Sequence, residues 1–137
     1  TVNHVVIEGE DEAFMEVNVD SLDHMLGTQC PSLIKIDVEG FETEVIAGAA
    51  GVLERNELKA LIIELNGSGN KYGYTDDKIH SGLLKRNFRP YSYNPYTRVL
   101  TEMKGFGNTN TIYIRDLGFV NSRIEKAPQL QILGIHF

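Results

Sequence analysis

Asp37, Glu39 and Gly40 stand together at the end of an apolar run in "SLIKIDVEGFE", residues 32–42, and Glu64 and Asn66 stand at the end of another in "LKALIIELNGS", residues 58–68. Carboxylates placed in this way can take a proton, hold a hydroxyl or amine in position, or ligate a hard divalent cation. An acid that ends a buried strand is costly to place without a partner. Asp37 is therefore the first candidate for a catalytic residue, with Glu39 and Glu64 next. Gly40 suits a sharp turn or a close approach of backbone, and is a candidate substrate-binding position together with Asn66. Glu42 and Glu44 are read differently. Acids in the first turn of a helix complement its dipole, at about 0.3–1 kcal/mol each.

The positioning elements follow from the patterns on either side. "SLIKIDV" is a strand by its apolar run, and "LKALIIEL" is a stronger one, its near-continuous aliphatic stretch fitting a strand covered on both faces. Between them, Val45, Ile46, Ala49, Val52 and Leu53 fall on one helical face of "FETEVIAGAAGVLERN", which predicts a single helix. Strand, helix and strand make a βαβ unit, with the expected right-handed crossover. In open α/β sheets ligands bind beyond the carboxyl ends of the strands, where Asp37, Glu39, Gly40, Glu64 and Asn66 lie. Thr75 or Asp76 caps a later helix whose inner face is Ile79, Leu83, Leu84 and Phe88, with Asn87 as a left-handed stop. "RPYSYNPYTRVLTEM" reads as extended segments around a turn at Asn94-Pro95, and "NTIYIRD" as a last strand. Upstream, "NHVVIE" and "AFMEVNV" predict an N-terminal β-hairpin, with Met15, Val17 and Val19 on its buried face, and "DSLDHML" a short helix capped by Asp20 or Ser21. Residues 119–137 carry no clear pattern.

Composition narrows the function classes. The 137 residues hold 42% hydrophobic and 23% charged positions, the make-up of a globular chain long enough for one domain spanning 1–137. A net charge of −6 argues against a nucleic-acid partner or an anionic membrane surface. One cysteine, Cys30, allows no intrachain disulfide and no cysteine-based zinc site, which suits a cytoplasmic location. No apolar run approaches the roughly 20 residues that span a bilayer. His4, His24, His80 and His136 lack ligand spacing, and no serine or cysteine sits in a nucleophile-elbow pattern.

"LIKIDVEGFETEVIAGA", preceded by "VDSLDHML" and followed by "LIIEL", resembles the signature of the FkbM family of S-adenosylmethionine-dependent methyltransferases, and "NTNTIYIRD" is similar to that family's closing strand. The resemblance implies a Rossmann-like class I methyltransferase sheet, S-adenosylmethionine as cofactor, and methyl transfer to oxygen of a small-molecule or sugar acceptor. It also implies that the acidic, glycine-rich strand ends that hold most of the cofactor lie outside this chain, which reads as the C-terminal portion of such a domain. The fold class expected is thus α/β, a partial Rossmann-like sheet with the N-terminal hairpin beside it. Cofactor binding by this chain alone is expected to be weak or absent, no better than about millimolar.

"NGSGNKYGY", residues 66–74, does not replace the missing loop, because a dinucleotide fingerprint begun at Gly67 and Gly69 needs glycine where Tyr72 stands. Tyr72 and Tyr74 are candidates for lining a substrate entrance. Truncation leaves the "SLIKIDV" strand without a neighbour on one side. A homodimer paired through that edge is expected. Two other readings stay open: a non-catalytic binding or assembly module derived from the same fold, and a metal-dependent hydrolase using Asp37, Glu39 and Glu64.

Overall fold

The computed structural model describes residues 16–129 together with 131, 132, 135 and 136. Its core is a five-stranded mixed sheet made of β1 (Leu33–Ile36), β2 (Ala60–Glu64), β3 (Arg89–Asn94), β4 (Val99–Glu102) and β5 (Asn110–Ile114) in the order β1-β2-β5-β3-β4. β1 pairs with β2 in parallel, and β5 lies antiparallel to both β2 and β3. β3 therefore runs in the same sense as β1 and β2, with β4 returning beside it as a hairpin partner. The strands read at "SLIKIDV", "LKALIIEL" and "NTIYIRD" are neighbours, in a sheet that is mixed rather than parallel. Two short strands, β6 (Gln131–Ile132) and β7 (Ile135–His136), pair with each other in a separate ribbon.

Four helices accompany the sheet: α1 (Leu22–Leu26), α2 (Glu42–Ala47), α3 (Asp76–Lys85) and α4 (Leu117–Lys126). One face of the sheet carries the main core, in which Ile36, Leu61, Ile63 and Tyr113 meet Leu53, Leu58, Ile79, Leu83 and Phe88. The opposite face holds a smaller cluster of Ala60, Tyr91 and Ile114 with Val120 of α4 against it. The two-sided cover expected of β2 is thus completed by α4, most of which falls in the stretch that had no clear pattern. Arg115 ties strand to turn, donating to the carbonyls of Arg55 at 2.7 Å and Arg86 at 3.2 Å, and to that of Leu53, with its guanidinium 4.2 Å from the ring centroid of Phe88.

Local signals are realised at the caps. The Ser21 hydroxyl accepts from the His24 N–H at the start of α1, and Asn87 takes φ 64° just after α3, whose N-cap position is held by Thr75 without a side-chain cap bond. Two expectations are corrected. The single helix over "FETEVIAGAAGVLERN" stops at Ala47 and resumes as a 3₁₀ turn at Val52–Glu54. The reason lies in Gly48 and Gly51 together with Asp23 of α1, whose carboxylate accepts the N–H groups of Gly51 at 2.7 Å and Val52 at 2.8 Å and so takes donors from a continuous helix. The inner face survives this break, since Ala49, Val52 and Leu53 are buried.

The second correction concerns residues 16–19, which form no strand; Val17 and Val19, expected on a buried face, are 70% and 84% exposed. Alternation specifies a strand only where a neighbour accepts its backbone bonds. The other run of the expected hairpin, and Met15, lie outside the described residues.

Candidate functional site

The parallel register of β1 and β2 sets Ile36 opposite Ile63, so the next residues, Asp37 and Glu64, face each other at the carboxyl ends of the two strands. One carboxylate oxygen from each of Asp37, Glu39 and Glu64 lies within 4.8 Å of the others. Three residues from two separate segments of the chain are thereby gathered at one point. Glu39 reaches it from a turn in the left-handed region at φ 55°, and Gly40 follows at φ 107°.

This turn is held from below by Glu42. Its side chain is 4% exposed, and its Oε1 accepts the N–H groups of Val38 at 3.3 Å and Gly40 at 3.2 Å. Glu42 lies in the first turn of α2, as its reading as a helix-dipole residue requires, and it also satisfies two donors of the acidic turn. Its signal was its place two residues after the glycine, which lets the side chain fold back over the loop. Gly40 also touches the loop after β2: a Cβ there would stand 2.7 Å from the Ser68 carbonyl oxygen. Both expected uses of Gly40, turning and close approach, are therefore realised.

The loop after β2 is built on its own capping bonds. Asn66 accepts the Ser68 N–H at 2.9 Å, and Gly67 donates to Asp76 of α3, also at 2.9 Å. Asn66 is thus a turn residue, and its amide also contacts Glu64. Tyr72 meets Phe41 edge-on with centroids 5.7 Å apart, while the Tyr74 hydroxyl donates to Glu44. These tyrosines fasten the two loops to each other across the site's margin. Phe41 and Lys35, which take part in the arrangement, were not singled out from sequence, since an apolar residue after a glycine and a lysine within a strand carry no chemical signal by themselves.

The electrostatics of the three acids are unequal. The Lys35 ammonium, hydrogen-bonded to Asp37, holds that carboxyl below its usual range. Burial, and then the charges of Asp37 and Glu39, push the Glu64 carboxyl up. A span of 4.8 Å would suit oxygen ligands on a divalent ion, but Lys35 already neutralises Asp37 and its charge opposes a cation beside it. Of the histidines within residues 16–129, His24 is paired with Asp20, and the His80 ring nitrogen is 2.7 Å from the buried Tyr113 hydroxyl.

Two cavities lie away from this edge. The larger, about 460 Å³, is between α4 and the second face of the sheet, with Leu33, Ala60, Ile62, Phe119 and Ile124 in its walls. The other, about 390 Å³, is bordered by Leu22, Phe41, Glu44 and Gly48. Neither is lined by Asp37, Glu39 or Glu64; of these acids Asp37 is exposed and the other two are half-buried.

A mixed sheet whose like-directed strands are joined through helices defines an α/β domain. Residues 2–90 match the family model described as the methyltransferase FkbM domain, and the chain belongs to that family. No curated protein and no solved structure matches it. Among the described residues, no helix is long and apolar enough to cross a membrane.

Proposed function

We propose that this chain takes part in S-adenosylmethionine-dependent methyl transfer to an oxygen of a small-molecule or sugar acceptor, at the edge formed by Asp37, Glu39 and Glu64. The observation that carries the reading is the convergence of these three carboxylates at the ends of parallel strands, in a member of the FkbM methyltransferase family. The sheet, with β1, β2 and β3 running one way and β5 inserted against them, is read as the C-terminal portion of a Rossmann-like methyltransferase sheet.

The negative edge complements a sulfonium, so these residues suit the reacting end of the cofactor. S-adenosylmethionine, when bound, supplies an electrophilic methyl carbon whose bond to sulfur breaks with its electron pair as the acceptor oxygen attacks. Asp37 takes the proton released by that oxygen onto its carboxylate. Glu64 orients the hydroxyl, and Glu39 at the rim adds negative charge next to the reacting groups. Gly40 and Asn66 keep the two loops close enough for one acceptor to meet both strand ends, with Tyr72 and Tyr74 at the margin.

The test is titration of the chain with S-adenosylmethionine, followed by amide NMR and calorimetry. Shifts are expected at residues 37–41 and 64–68, with a dissociation constant no tighter than about millimolar, equivalent to roughly 4 kcal/mol. Shifts confined to the cavity under α4 would exclude this edge as the methyl-transfer site.

A further inference from the structure

Lys35 lies outside the acid and glycine positions that mark the strand edge, yet its place on β1 accounts for an asymmetry among them. Side chains alternate along a strand, so Lys35 and Asp37 project from the face opposite Ile34 and the buried Ile36. The Lys35 Nζ bonds Asp37 Oδ2. Glu64 has no cationic partner among the described residues; it contacts Asp37, Glu39 and the neutral amide of Asn66. Two carboxylates this close favour a state in which one keeps a proton, and the one beside a cation is the one that stays ionised.

Building on the methyl-transfer reading, we propose that Lys35 is a positioning residue that assigns the roles of the acidic pair: it keeps Asp37 ionised and in place as the proton acceptor, and leaves the shared proton on Glu64, which donates a hydrogen bond to the acceptor oxygen. The groups facing the pair are Lys35 from β1, Glu39 from the turn after it and Asn66 from the loop after β2. The opposite directions in which Asp37 and Glu64 are moved agree with this division. A hydroxyl acceptor bound here meets one hydrogen-bond acceptor and one donor, so it is held with its proton toward Asp37 and a lone pair toward Glu64. A carboxylate or phosphate oxygen bearing no proton would meet the Asp37 charge unfavourably. The site therefore selects neutral hydroxyl acceptors.

Site-resolved carboxyl NMR titration of the wild-type chain, Lys35→Met and Lys35→Arg tests this without any acceptor. In the wild type, Asp37 should titrate below Glu64. Lys35→Met should raise the Asp37 midpoint by about 1 pH unit, the ordinary effect of losing an opposite charge at contact distance, and narrow the gap between the two. Lys35→Arg should restore it. Lys35 is exposed, so these variants keep the fold. A wild type in which Glu64 titrates first, or an Asp37 midpoint that Lys35→Met leaves in place, would overturn the assignment. The methyl-transfer reading fails separately, through the cofactor titration.

Discussion

Gly40→Ala is the substitution in which backbone strain and loop contact can be separated. At φ 107° an L side chain is held in a sparsely populated region, at a cost of about 1–3 kcal/mol. The added Cβ would also stand 2.7 Å from the Ser68 carbonyl oxygen and 2.8 Å from its carbon, both backbone atoms that cannot rotate aside. Forcing that contact adds about 1–2 kcal/mol, within the range for overpacking. The total expected loss is about 3 kcal/mol, which lowers a urea midpoint by about 2 M when stability falls by about 1.5 kcal/mol per molar. Gly73→Ala provides the control. Gly73 has φ 77°, but a Cβ added there would meet nothing within 4 Å, so only the backbone cost of about 1–2 kcal/mol applies. Urea denaturation of both variants, followed by circular dichroism, reads the difference. If Gly40→Ala loses no more stability than Gly73→Ala, the packing of the acidic turn on the Ser68 loop does not hold the site together.

Glu42→Ala should cost about 2–4 kcal/mol, because it strips the acceptor from two N–H groups, one of them on the buried Gly40, whereas Glu42→Gln keeps an acceptor oxygen and should cost less than half as much; thermal melts distinguish them. For Glu64, whose folded carboxyl is raised above its ordinary value of 4.5, the folded chain binds more protons than the unfolded one just above that pH. Stability therefore falls as pH rises through the folded midpoint, and Glu64→Gln should be more stable than wild type at pH 7 but not at pH 4, as read from paired denaturation curves. For Asp37 the sign is opposite: its lowered carboxyl gives stability that is present above its ordinary value of 3.8 and is lost as pH falls through the folded midpoint, so Asp37→Asn should narrow the acid-side loss. The outer side of β1 pairs with no described strand, and Leu33 there is 51% exposed. We expect a homodimer through this edge at micromolar concentration and a monomer for Leu33→Lys, by sedimentation; a monomeric wild type would refute it.

Much of the fold was legible because its signals are local. Asn87 after α3 and Ser21 before α1 act within a few residues, and the near-continuous aliphatic run of β2 marks a strand by residue type alone; the structure realises all three. The break after Ala47 was not legible. The helical period across Gly48 to Leu53 is intact, and what interrupts the helix is a carboxylate 28 residues away, Asp23, capturing the Gly51 N–H. Likewise, alternation at residues 16–19 predicted a buried face that the described neighbours do not supply.

The candidate site divides along the same line. The sequence alone determined that Asp37 and Glu64 would end strands and that Gly40 would mark a turn, since residue type and hydrophobic pattern are properties of each segment. It also determined the family, through a motif that is itself contiguous. Tertiary structure decided what these residues mean to one another. The parallel register of β1 on β2 brings two carboxylates face to face, and Tyr74 bonds to Glu44 across 30 residues. Strand ends are written in local pattern, but charge pairing depends on distances of a few ångströms between segments, and those distances exist only once the sheet has formed.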